Sequence, residues 1–375
     1  MINKNRLIQT FRDLIAIDCL SLQERQMADH LIALFTKLGM TINEDDAGQK
    51  LGGNTGNLHA YLPGDLSLPP ILFSCHIDTV GPGLGKQAVV HPDGKITSNG
   101  DTILGADDFS GVAAILEAIQ TLKESSKPHR PIEILFSVAE EIYCRGIGVF
   151  DMSVLKSKEA YVLDLAGPVG SAASSAPEIV IFKIKITGRP AHAGFAPQEG
   201  IHSIRAAAMA ISRMELGHVG ADMTVNVGVI EGGSAGNVVP EFCTVKGELR
   251  GFNPSEVEEQ LKKIYALFEA SAKELGATVE TQEERVSVAY EIDQTHSAIM
   301  RFKAACEQIG VPFSLAPTHG LSDFNALHDY GLRGLTIANA MEKCHSTEEY
   351  TTVSELERIA NLTLALMSDN KAYSR

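Results

Sequence analysis

Short apolar runs and amphipathic stretches alternate along the first 165 residues of the chain. Residues 70–75, 131–138 and 160–163 are nearly all apolar, which is typical of strands that are covered on both faces. Helical periodicity over residues 110–122 separates the first two runs, and residues 21–24 (SLQE) fit a capping box at the start of a helix. This βα alternation predicts an α/β fold with a mostly parallel central sheet and helices on both faces.

The pattern changes at about residue 178, where strands and helices follow in the order β-α-β-β-α-β. That order is typical of a ferredoxin-like α+β unit. The earlier βα pattern resumes after residue 293. We therefore predict one α/β domain, residues 1–177 and 293–375, into which an α+β domain of residues 178–292 is inserted.

Composition narrows the class of partner and the cellular compartment. The chain has 32 Lys and Arg residues against 47 Asp and Glu residues, so its net charge of −15 repels phosphate backbones and we expect no nucleic-acid partner. Its six cysteines form no C-x-x-C pair, which favours reduced thiols. The N-terminal stretch lacks the apolar core of a signal peptide, and no run approaches the about 18 apolar residues of a membrane span. We expect a cytoplasmic protein without membrane attachment.

Carboxylate and imidazole side chains occur where the predicted strands end. The carboxyl ends of parallel strands meet at one edge of a sheet, and ligands bind there. We expect the following residues to gather at that edge: His76 and Asp78 after the first strand, Asp107 and Asp108 before the helix, Glu140 and Glu141 after the second strand, Asp164 after the third, and His345 after a late strand at residues 334–338.

Each of these residues alone has an ordinary structural role, as a hydrogen-bonded core histidine, a solvated acid or a helix cap. Together, several carboxylates at one sheet edge repel one another unless a cation compensates them. Two imidazoles with carboxylates form the mixed set that suits zinc, with cobalt or manganese as substitutes. The two histidines and three of these carboxylates already make five candidate ligands, which is more than a single zinc takes, whereas an aspartate shared by two metals about 3.5–4 Å apart fits that number.

The spacing of the acids indicates a division of labour. Asp78 lies two residues beyond His76, so on an extended chain both side chains face the same way and Asp78 can fix the imidazole tautomer. The neighbours Glu140 and Glu141 point to opposite sides. One of them can bind metal while the other acts as general base on a water, which is the chemistry of a hydrolase.

With these residues in this order, the chain resembles the di-zinc exopeptidases related to peptidase T, carboxypeptidase G and aminoacylase. It is most similar to the peptidase T-like branch, in which a lid domain is inserted into a zinc-binding catalytic domain. The resemblance spans nearly the whole chain and rests on motifs at residues 74–80 (SCHIDTV), 104–111 (LGADDFSG), 139–142 (AEEI), 188–194 (GRPAHAG), 236–240 (GNVVP) and 344–349 (CHSTEE).

The resemblance implies a role for each residue at the sheet edge. His76 and Asp164 would bind one zinc, Glu141 and His345 the other, and Asp107 would bridge the two. Glu140 would be the general base, which activates the water and then protonates the leaving amine, and Asp78 would orient His76. The peptide bond between Asp107 and Asp108 would be cis.

The resemblance also implies roles outside the metal ligands. His192 would help to polarise the scissile carbonyl, often across a dimer interface, and Asn237 and Arg250 would hold the carboxylate end of the substrate. Ser322 lies in a loop similar to one near the bound substrate. The expected activity is hydrolysis of the N-terminal bond of short peptides by a homodimer that associates through the inserted lid domain.

Residues 142–146 (IYCRG) depart from the commonest version of the family, which leaves strict tripeptide preference open. An N-acyl-amino-acid amidohydrolase or a carboxypeptidase on the same scaffold is the alternative among hydrolases. A non-catalytic, metal-dependent binding protein is the alternative from another class, although such a protein has no need of Glu140.

Overall fold

The computed structural model describes residues 1–125 and 128–368. The chain divides into two compact units. A large unit contains Met1–Ser175 and the chain from Glu291 onward, and a small unit contains Ala176–Tyr290. The roles of catalytic domain and lid that the sequence assigns to these regions stay predictions.

The helices are α1 (Lys4–Ile15), α2 (Arg25–Lys37), α3 (Ala47–Leu51), α4 (Ala106–Ser125), α5 (Arg145–Gly148), α6 (Ser203–Ile211), α7 (Pro254–Leu275), α8 (Ser297–Ile309), α9 (Phe324–Tyr330) and α10 (Val353–Ser368). The strands are β1 (Thr41–Glu44), β2 (Leu58–Leu62), β3 (Ile71–His76), β4 (Val89–Val90), β5 (Lys95–Thr97), β6 (Ile132–Ser137), β7 (Glu159–Ala166), β8 (Ser171–Ala176), β9 (Glu178–Thr187), β10 (Ala191–His192), β11 (Gly217–His218), β12 (Met223–Gly232), β13 (Val238–Val239), β14 (Phe242–Gly251), β15 (Thr278–Ser287), β16 (Tyr290–Glu291), β17 (Ser314–Pro317), β18 (Arg333–Met341) and β19 (Tyr350–Thr352). Short 3-10 turns lie at Met152–Val154 and Pro197–Glu199.

The large unit is built on a sheet with the strand order β1-β2-β6-β3-β7-β18-β8-β16, and β17 pairs with β8. The central strands β6, β3, β7 and β18 run parallel, whereas β1 pairs antiparallel with β2, β2 with β6, and β8 with β18. Every residue of β3 and β6 is buried. The predicted α/β fold with a mostly parallel central sheet is therefore confirmed, and its apolar runs are the strands that lie deepest in the sheet.

One predicted helix start is wrong. Residues 21–24 do not cap α2, which begins at Arg25 without any side-chain cap hydrogen bond. The Ser21 hydroxyl donates instead to Asp78 Oδ2 at 2.7 Å, and Glu24 Oε1 accepts from the backbone N–H groups of Leu22 and Ala139 at 2.8 and 3.0 Å. The polar side chains of the apparent capping box therefore support the strand exits of the large unit.

The small unit contains a five-stranded antiparallel sheet with the order β11-β12-β14-β9-β15. Helices α6 and α7 pack on one face of this sheet, around a core that includes Phe182, Leu261 and Phe268. The two helices connect the strands in the β-α-β-β-α-β order, so the predicted ferredoxin-like unit is confirmed.

None of the helices within residues 1–125 and 128–368 combines the length and the apolar character that crossing a membrane requires.

Candidate metal centre

The exits of the parallel strands bring the predicted residues of the large unit together. His76 is the last residue of β3, and Glu140 and Glu141 follow the end of β6. Asp164 lies inside β7 rather than after it, because this strand continues to Ala166. His345 follows β18, in a loop where its own φ angle is +61°. Since β6, β3, β7 and β18 are adjacent and parallel, all these positions share one edge of the sheet.

Asp107 lies between the two histidines. Its Oδ1 atom is 3.0 Å from His76 Nε2, and its Oδ2 atom is 3.2 Å from His345 Nε2. His345 Nε2 is also 2.9 Å from Glu141 Oε2. The peptide bond between Asp107 and Asp108 is cis, as the family resemblance implies. One carboxylate thus contacts two imidazoles through different oxygens, which is the arrangement expected of a bridging ligand.

Glu140 and Asp164 complete the cluster on the His76 side. One donor atom from each of His76, Glu140 and Asp164 lies within 4.8 Å of the others, and the same holds for His76, Asp107 and Glu141. Glu141 Oε1 is buried and has no hydrogen-bond partner among the described residues. A buried carboxylate oxygen without a partner is costly unless a cation binds it, so the donor set fits a pair of divalent metals.

The charge of the cluster is poorly compensated by the protein itself. Burial raises the pKa of Glu140 well above its usual value, and burial together with the Glu140 charge does the same for Asp164. Burial lowers the pKa of His76, but its contacts with Asp107 and Asp78 outweigh this effect and raise it well above the usual range. Without a metal, Glu140, Asp164 and His76 therefore tend to hold protons, and these protons supply the positive charge that divalent cations would supply when bound.

Asp78 connects the histidine to the general-base candidate. Its backbone carbonyl lies 3.0 Å from His76 Nδ1, and its Oδ1 atom lies 3.4 Å from the same nitrogen. An Nδ1–H that donates to this carbonyl leaves the Nε2 lone pair on the side of Asp107. The Asp78 carboxylate also accepts from the backbone N–H groups of Glu140 and Glu141, at 3.0 and 3.2 Å.

A cavity of about 270 Å³ adjoins these groups. Asp107, Glu140, Glu141, Asp164 and His345 all contribute to its wall. Ser322 lines the same cavity, but its hydroxyl lies 2.9 Å from that of Thr336 and is buried. The predicted substrate contact of Ser322 stays a prediction.

Two of the predicted small-unit residues lie together and the third lies apart. His192 is in β10, which pairs with β13, and the N–H of Ala193 donates to the carbonyl of Asn237 at 3.0 Å. His192 is exposed; its Nδ1 accepts from the N–H groups of Gly194 and Phe195. Arg250 lies near the Gly251 end of β14, whereas Asn237 precedes the Phe242 end of that strand. The Arg250 guanidinium donates to both carboxylate oxygens of Glu248, at 2.8 and 3.2 Å.

Hydrogen bonds to Asp108, Asn339 and Glu349 hold the cluster in place, whereas the sequence predicts only the position of Asp108 at this edge. Asp108 Oδ2 accepts from the backbone N–H of His76, and Asp108 Oδ1 accepts from the Asn339 side chain. Glu349 accepts from the N–H groups of Gly105 and Asp107, at 2.7 and 2.9 Å. Glu349 belongs to the motif at residues 344–349, so that motif could have indicated its role. Asn339 lies in a mostly apolar strand, and nothing in the local sequence indicates its role.

Comparison with known proteins places this geometry in a family. The model of a peptidase dimerisation domain of the M20 peptidases matches residues 178–276, and that of peptidase family M28 matches residues 57–175. YqjE of Bacillus subtilis, an uncharacterised protein, is 34% identical over 369 residues, which cover 98% of this chain and 99% of YqjE. The chain belongs to the M20 family of metallopeptidases.

Solved structures of similar sequence agree. A tripeptidase from Staphylococcus aureus is 32% identical over 98% of both chains, with a TM-score of 0.93. The aminopeptidase PepT from Bacillus cereus is 35% identical over 98% of both chains, with a TM-score of 0.89. The predicted resemblance to the peptidase T-like branch is thereby confirmed, and this M20 chain is a metal-dependent exopeptidase.

Proposed function

We propose that this M20 enzyme removes the N-terminal residue of short peptides with the help of two divalent metal ions, zinc in the first place and cobalt or manganese as substitutes. One observation carries the proposal: Asp107 directs one carboxylate oxygen to His76 and the other to His345. A shared carboxylate of this kind is the feature that distinguishes a two-metal site from a single zinc.

The donor atoms divide into two sets around Asp107. His76 and Asp164 would hold one ion, and Glu141 and His345 the other. The contact of 2.9 Å between His345 Nε2 and Glu141 Oε2 and the proximity of His76 to Asp164 support this division. Two bound dications supply a Lewis acid for the scissile carbonyl and lower the pKa of the attacking water.

Glu140 would carry the proton. Its carboxylate lines the cavity, is 8% exposed, and accepts a hydrogen bond from the Cys144 thiol at Oε1. A carboxylate whose pKa is raised by burial takes a proton from water more readily than an exposed one and returns it to a leaving amine. Asp78 holds this residue through the backbone N–H of Glu140, so the general base and His76 share one anchor.

The substrate class rests on the similar proteins. The two similar solved structures are a tripeptidase and an aminopeptidase, and a small cavity of about 270 Å³ suits one or two residues of a peptide rather than a folded chain. A probable carboxypeptidase from Arthroderma gypseum is 28% identical over 67% of this chain and 59% of that protein. Removal of the C-terminal residue therefore stays the second candidate activity.

We also propose a homodimer that associates through the small unit. Strand β12 pairs with β11 only at Thr224 and Val225, and farther along its outer edge Val229 and Ile230 are exposed. An unpaired, partly apolar strand edge is suited to pairing with a second copy. The matched peptidase dimerisation domain supports the same conclusion.

The positions of the small-unit residues give a second reason for a dimer. The β10–β13 ribbon meets the sheet at the Phe242 end of β14, where the N–H of Gly188 donates to the carbonyl of Glu241. Arg250 lies eight residues farther along β14, or about 26 Å away at about 3.3 Å per residue. A tripeptide spans only about 10 Å, so His192 and Arg250 of one copy would not contact the same substrate.

A peptide panel tests the activity. Metal-free enzyme is reloaded with Zn²⁺, Co²⁺ or Mn²⁺ and given free, N-acetylated and C-amidated di- and tripeptides, and the released residue is identified by mass spectrometry. We expect release of the N-terminal residue from free tripeptides and no cleavage of N-acetylated ones. Release of the C-terminal residue from N-acetylated peptides would establish the carboxypeptidase instead, and metal binding without any cleavage would establish the binding protein. A cytoplasmic location stays a prediction.

A further inference from the structure

A second group of donor atoms lies beside Glu140, and it includes none of the proposed ligands of the metal pair. One donor atom from each of Glu140, Cys144 and Asp323 lies within 4.8 Å of the others, and all three residues are buried. The Cys144 thiol donates to Glu140 Oε1 at an Sγ to Oε1 distance of 2.9 Å. Two carboxylates and a thiol at this spacing are a recognised ligand set for zinc-like cations.

Asp323 supplies an independent indication that a cation binds here. Its Oδ2 atom accepts a hydrogen bond from the Ser137 hydroxyl. Its Oδ1 atom is buried and has no hydrogen-bond partner among residues 1–125 and 128–368. Asp323 is only 1% exposed, so solvent does not satisfy this oxygen. Asp323 thus has one unpaired oxygen on a buried carboxylate that lies beside a thiol and a second carboxylate, and this arrangement is explained if the group takes up a cation.

We infer that Glu140, Cys144 and Asp323 form a third metal site, which binds zinc or a softer divalent cation at concentrations above those that fill the metal pair and thereby inhibits the enzyme. Inhibition follows because the ion occupies the Glu140 carboxylate, which then takes no proton from water. This inhibitory effect, although not the binding itself, rests on the proposed role of Glu140.

The distances explain why this site is weaker than the metal pair. At Zn–S and Zn–O distances of about 2.3 and 2.0 Å and a tetrahedral angle, the sulfur and oxygen of two ligands lie about 3.5 Å apart. The observed Sγ to Oε1 distance of 2.9 Å fits a proton rather than a metal between them. The incoming ion must therefore displace the thiol proton, which leaves to the buffer, and separate the two atoms by about 0.6 Å.

The thiol sets the metal preference of the third site. The Cys144 proton lies in the hydrogen bond from Sγ to Glu140 Oε1 and must leave before a metal can bind the sulfur. Only a cation with high affinity for thiolate replaces that proton at neutral pH. Zinc and cadmium meet this condition, whereas magnesium and manganese prefer oxygen ligands. Excess manganese is therefore expected to leave the site protonated.

Cadmium titration of the zinc-loaded enzyme tests the site directly. Protein holding two equivalents of zinc is titrated with Cd²⁺, total bound metal is measured by equilibrium dialysis and mass spectrometry, and Cd–thiolate charge-transfer absorption is recorded in the ultraviolet. We expect a third equivalent to bind together with the thiolate band. Cys144→Ser should lose both, because the hydroxyl still donates to Glu140 but provides no thiolate.

Cys344 provides the control thiol, since it lines the cavity of about 270 Å³ together with Glu140 but lies outside the three-residue group. Cys344→Ser should keep the third equivalent and the band. Asp323→Asn should weaken the third equivalent by at least about tenfold, which serves as a second probe if Cys144→Ser does not fold. Binding that stops at two equivalents, a band that survives in Cys144→Ser, or a band lost in Cys344→Ser would each overturn the inference.

Activity gives the second readout. Excess Zn²⁺ should inhibit the wild-type enzyme, relative to its own rate at two equivalents, and the concentration for half inhibition should rise at least about tenfold in Cys144→Ser. Equal inhibition of both proteins would show that the third site does not control Glu140. A protein that binds no metal pair and cleaves no peptide would instead contradict the proposed function, while the Cys144-dependent band would still report on the third site.

Discussion

The candidate residues of the large unit and those of the small unit are held in different ways. Asp107 contacts two histidines, and its own backbone N–H donates to Glu349. His192, in contrast, accepts from two nearby N–H groups and stacks on the exposed ring of Phe195, with the ring centroids 4.3 Å apart. The contacts of Asp107 fix the position of its carboxylate within the large unit. His192 is held only by its neighbours in the chain, and its imidazole is exposed.

The two sheets explain this difference. In the parallel sheet, helices cover both faces, so polar residues at the strand exits are surrounded by protein and must find partners there. In the small unit, α6 and α7 cover one face of the sheet, and most of β15 is exposed. The candidate catalytic residues that are held by several buried contacts therefore lie in the large unit, and the proposed role of the small-unit residues rests on the proposed dimer.

The largest effect tests whether the buried site carries the chemistry. Glu140→Gln should lower kcat by about a thousandfold, because Gln cannot carry the proton, while two metal equivalents remain bound. The amide oxygen still accepts from the Cys144 thiol, so the fold should be preserved. Steady-state kinetics and metal analysis measure the two quantities. Glu307→Gln, on an exposed position of α8, is the control, and near-normal turnover in Glu140→Gln would refute the role.

The pH dependence of the free energy of unfolding tests how burial of an acid affects the stability of the large unit. Burial, with the Asp78 charge, raises the pKa of Glu24 from 4.5 to about 7. Between these pH values the folded state holds a proton that the unfolded state has released, so the stabilising contribution of this proton is fully present below pH 4.5 and is lost as the pH rises to about 7. Glu24→Gln has no such titration. The free energy of unfolding of the variant minus that of the wild type should therefore increase by about 3 kcal/mol between pH 4.5 and about pH 7.

Urea unfolding of both metal-free proteins at a series of pH values provides the measurement. Parallel curves for the wild type and Glu24→Gln would show that Glu24 does not hold its proton in the folded state.

The support of Asp107 by Glu349 should have a smaller effect, seen in metal affinity. Glu349→Gln places an amide N–H₂ group where a carboxylate oxygen accepts a backbone N–H, so Asp107 loses part of its anchor. We expect zinc affinity to fall about 10- to 100-fold in competition with a chelator. The neighbouring Glu348 is exposed and pairs with Lys343, so Glu348→Gln is the matched control. Equal affinities of the two variants would contradict the positioning role.

The smallest effect on folding is expected in the small unit. Ile230→Lys at the exposed edge of β12 should change the free energy of unfolding by less than about 0.5 kcal/mol, because the side chain is 49% exposed. The same change should convert the dimer to a monomer in light scattering, since Lys at a strand edge opposes pairing. Val288→Lys, an exposed position outside β12, serves as control. A wild-type monomer at working concentration would contradict the proposed dimer.

Much of the fold of both units could be predicted because it follows from the local order of apolar and polar residues. The runs at residues 70–75 and 131–138 are apolar because both faces of β3 and β6 are buried, and that signal needs no knowledge of distant residues. The acids after these strands could be placed at one edge for the same reason. The order of strands and helices likewise predicts the ferredoxin-like sheet of the small unit.

The rest depended on partners far apart in the chain. Residues 21–24 read as a capping box, yet Ser21 donates to Asp78 and Glu24 accepts from Ala139. Asp164 read as the end of a strand because its charge breaks an apolar run, but the carboxylate lies in a cluster that tolerates it inside β7. Local rules assign such polar residues to caps and loops, and only the folded sheet shows where they find their partners.

The position of β18 has a consequence for how the enzyme is made. This strand pairs with β7, although the whole small unit lies between them in the sequence, and His345 follows it. As the chain leaves the ribosome, His76, Asp107, Glu141 and Asp164 emerge long before their last partner. The proposed ligand set is therefore incomplete in the nascent polypeptide until the whole small unit and β18 have been translated, so the proposed metal pair cannot assemble before the inserted unit has emerged.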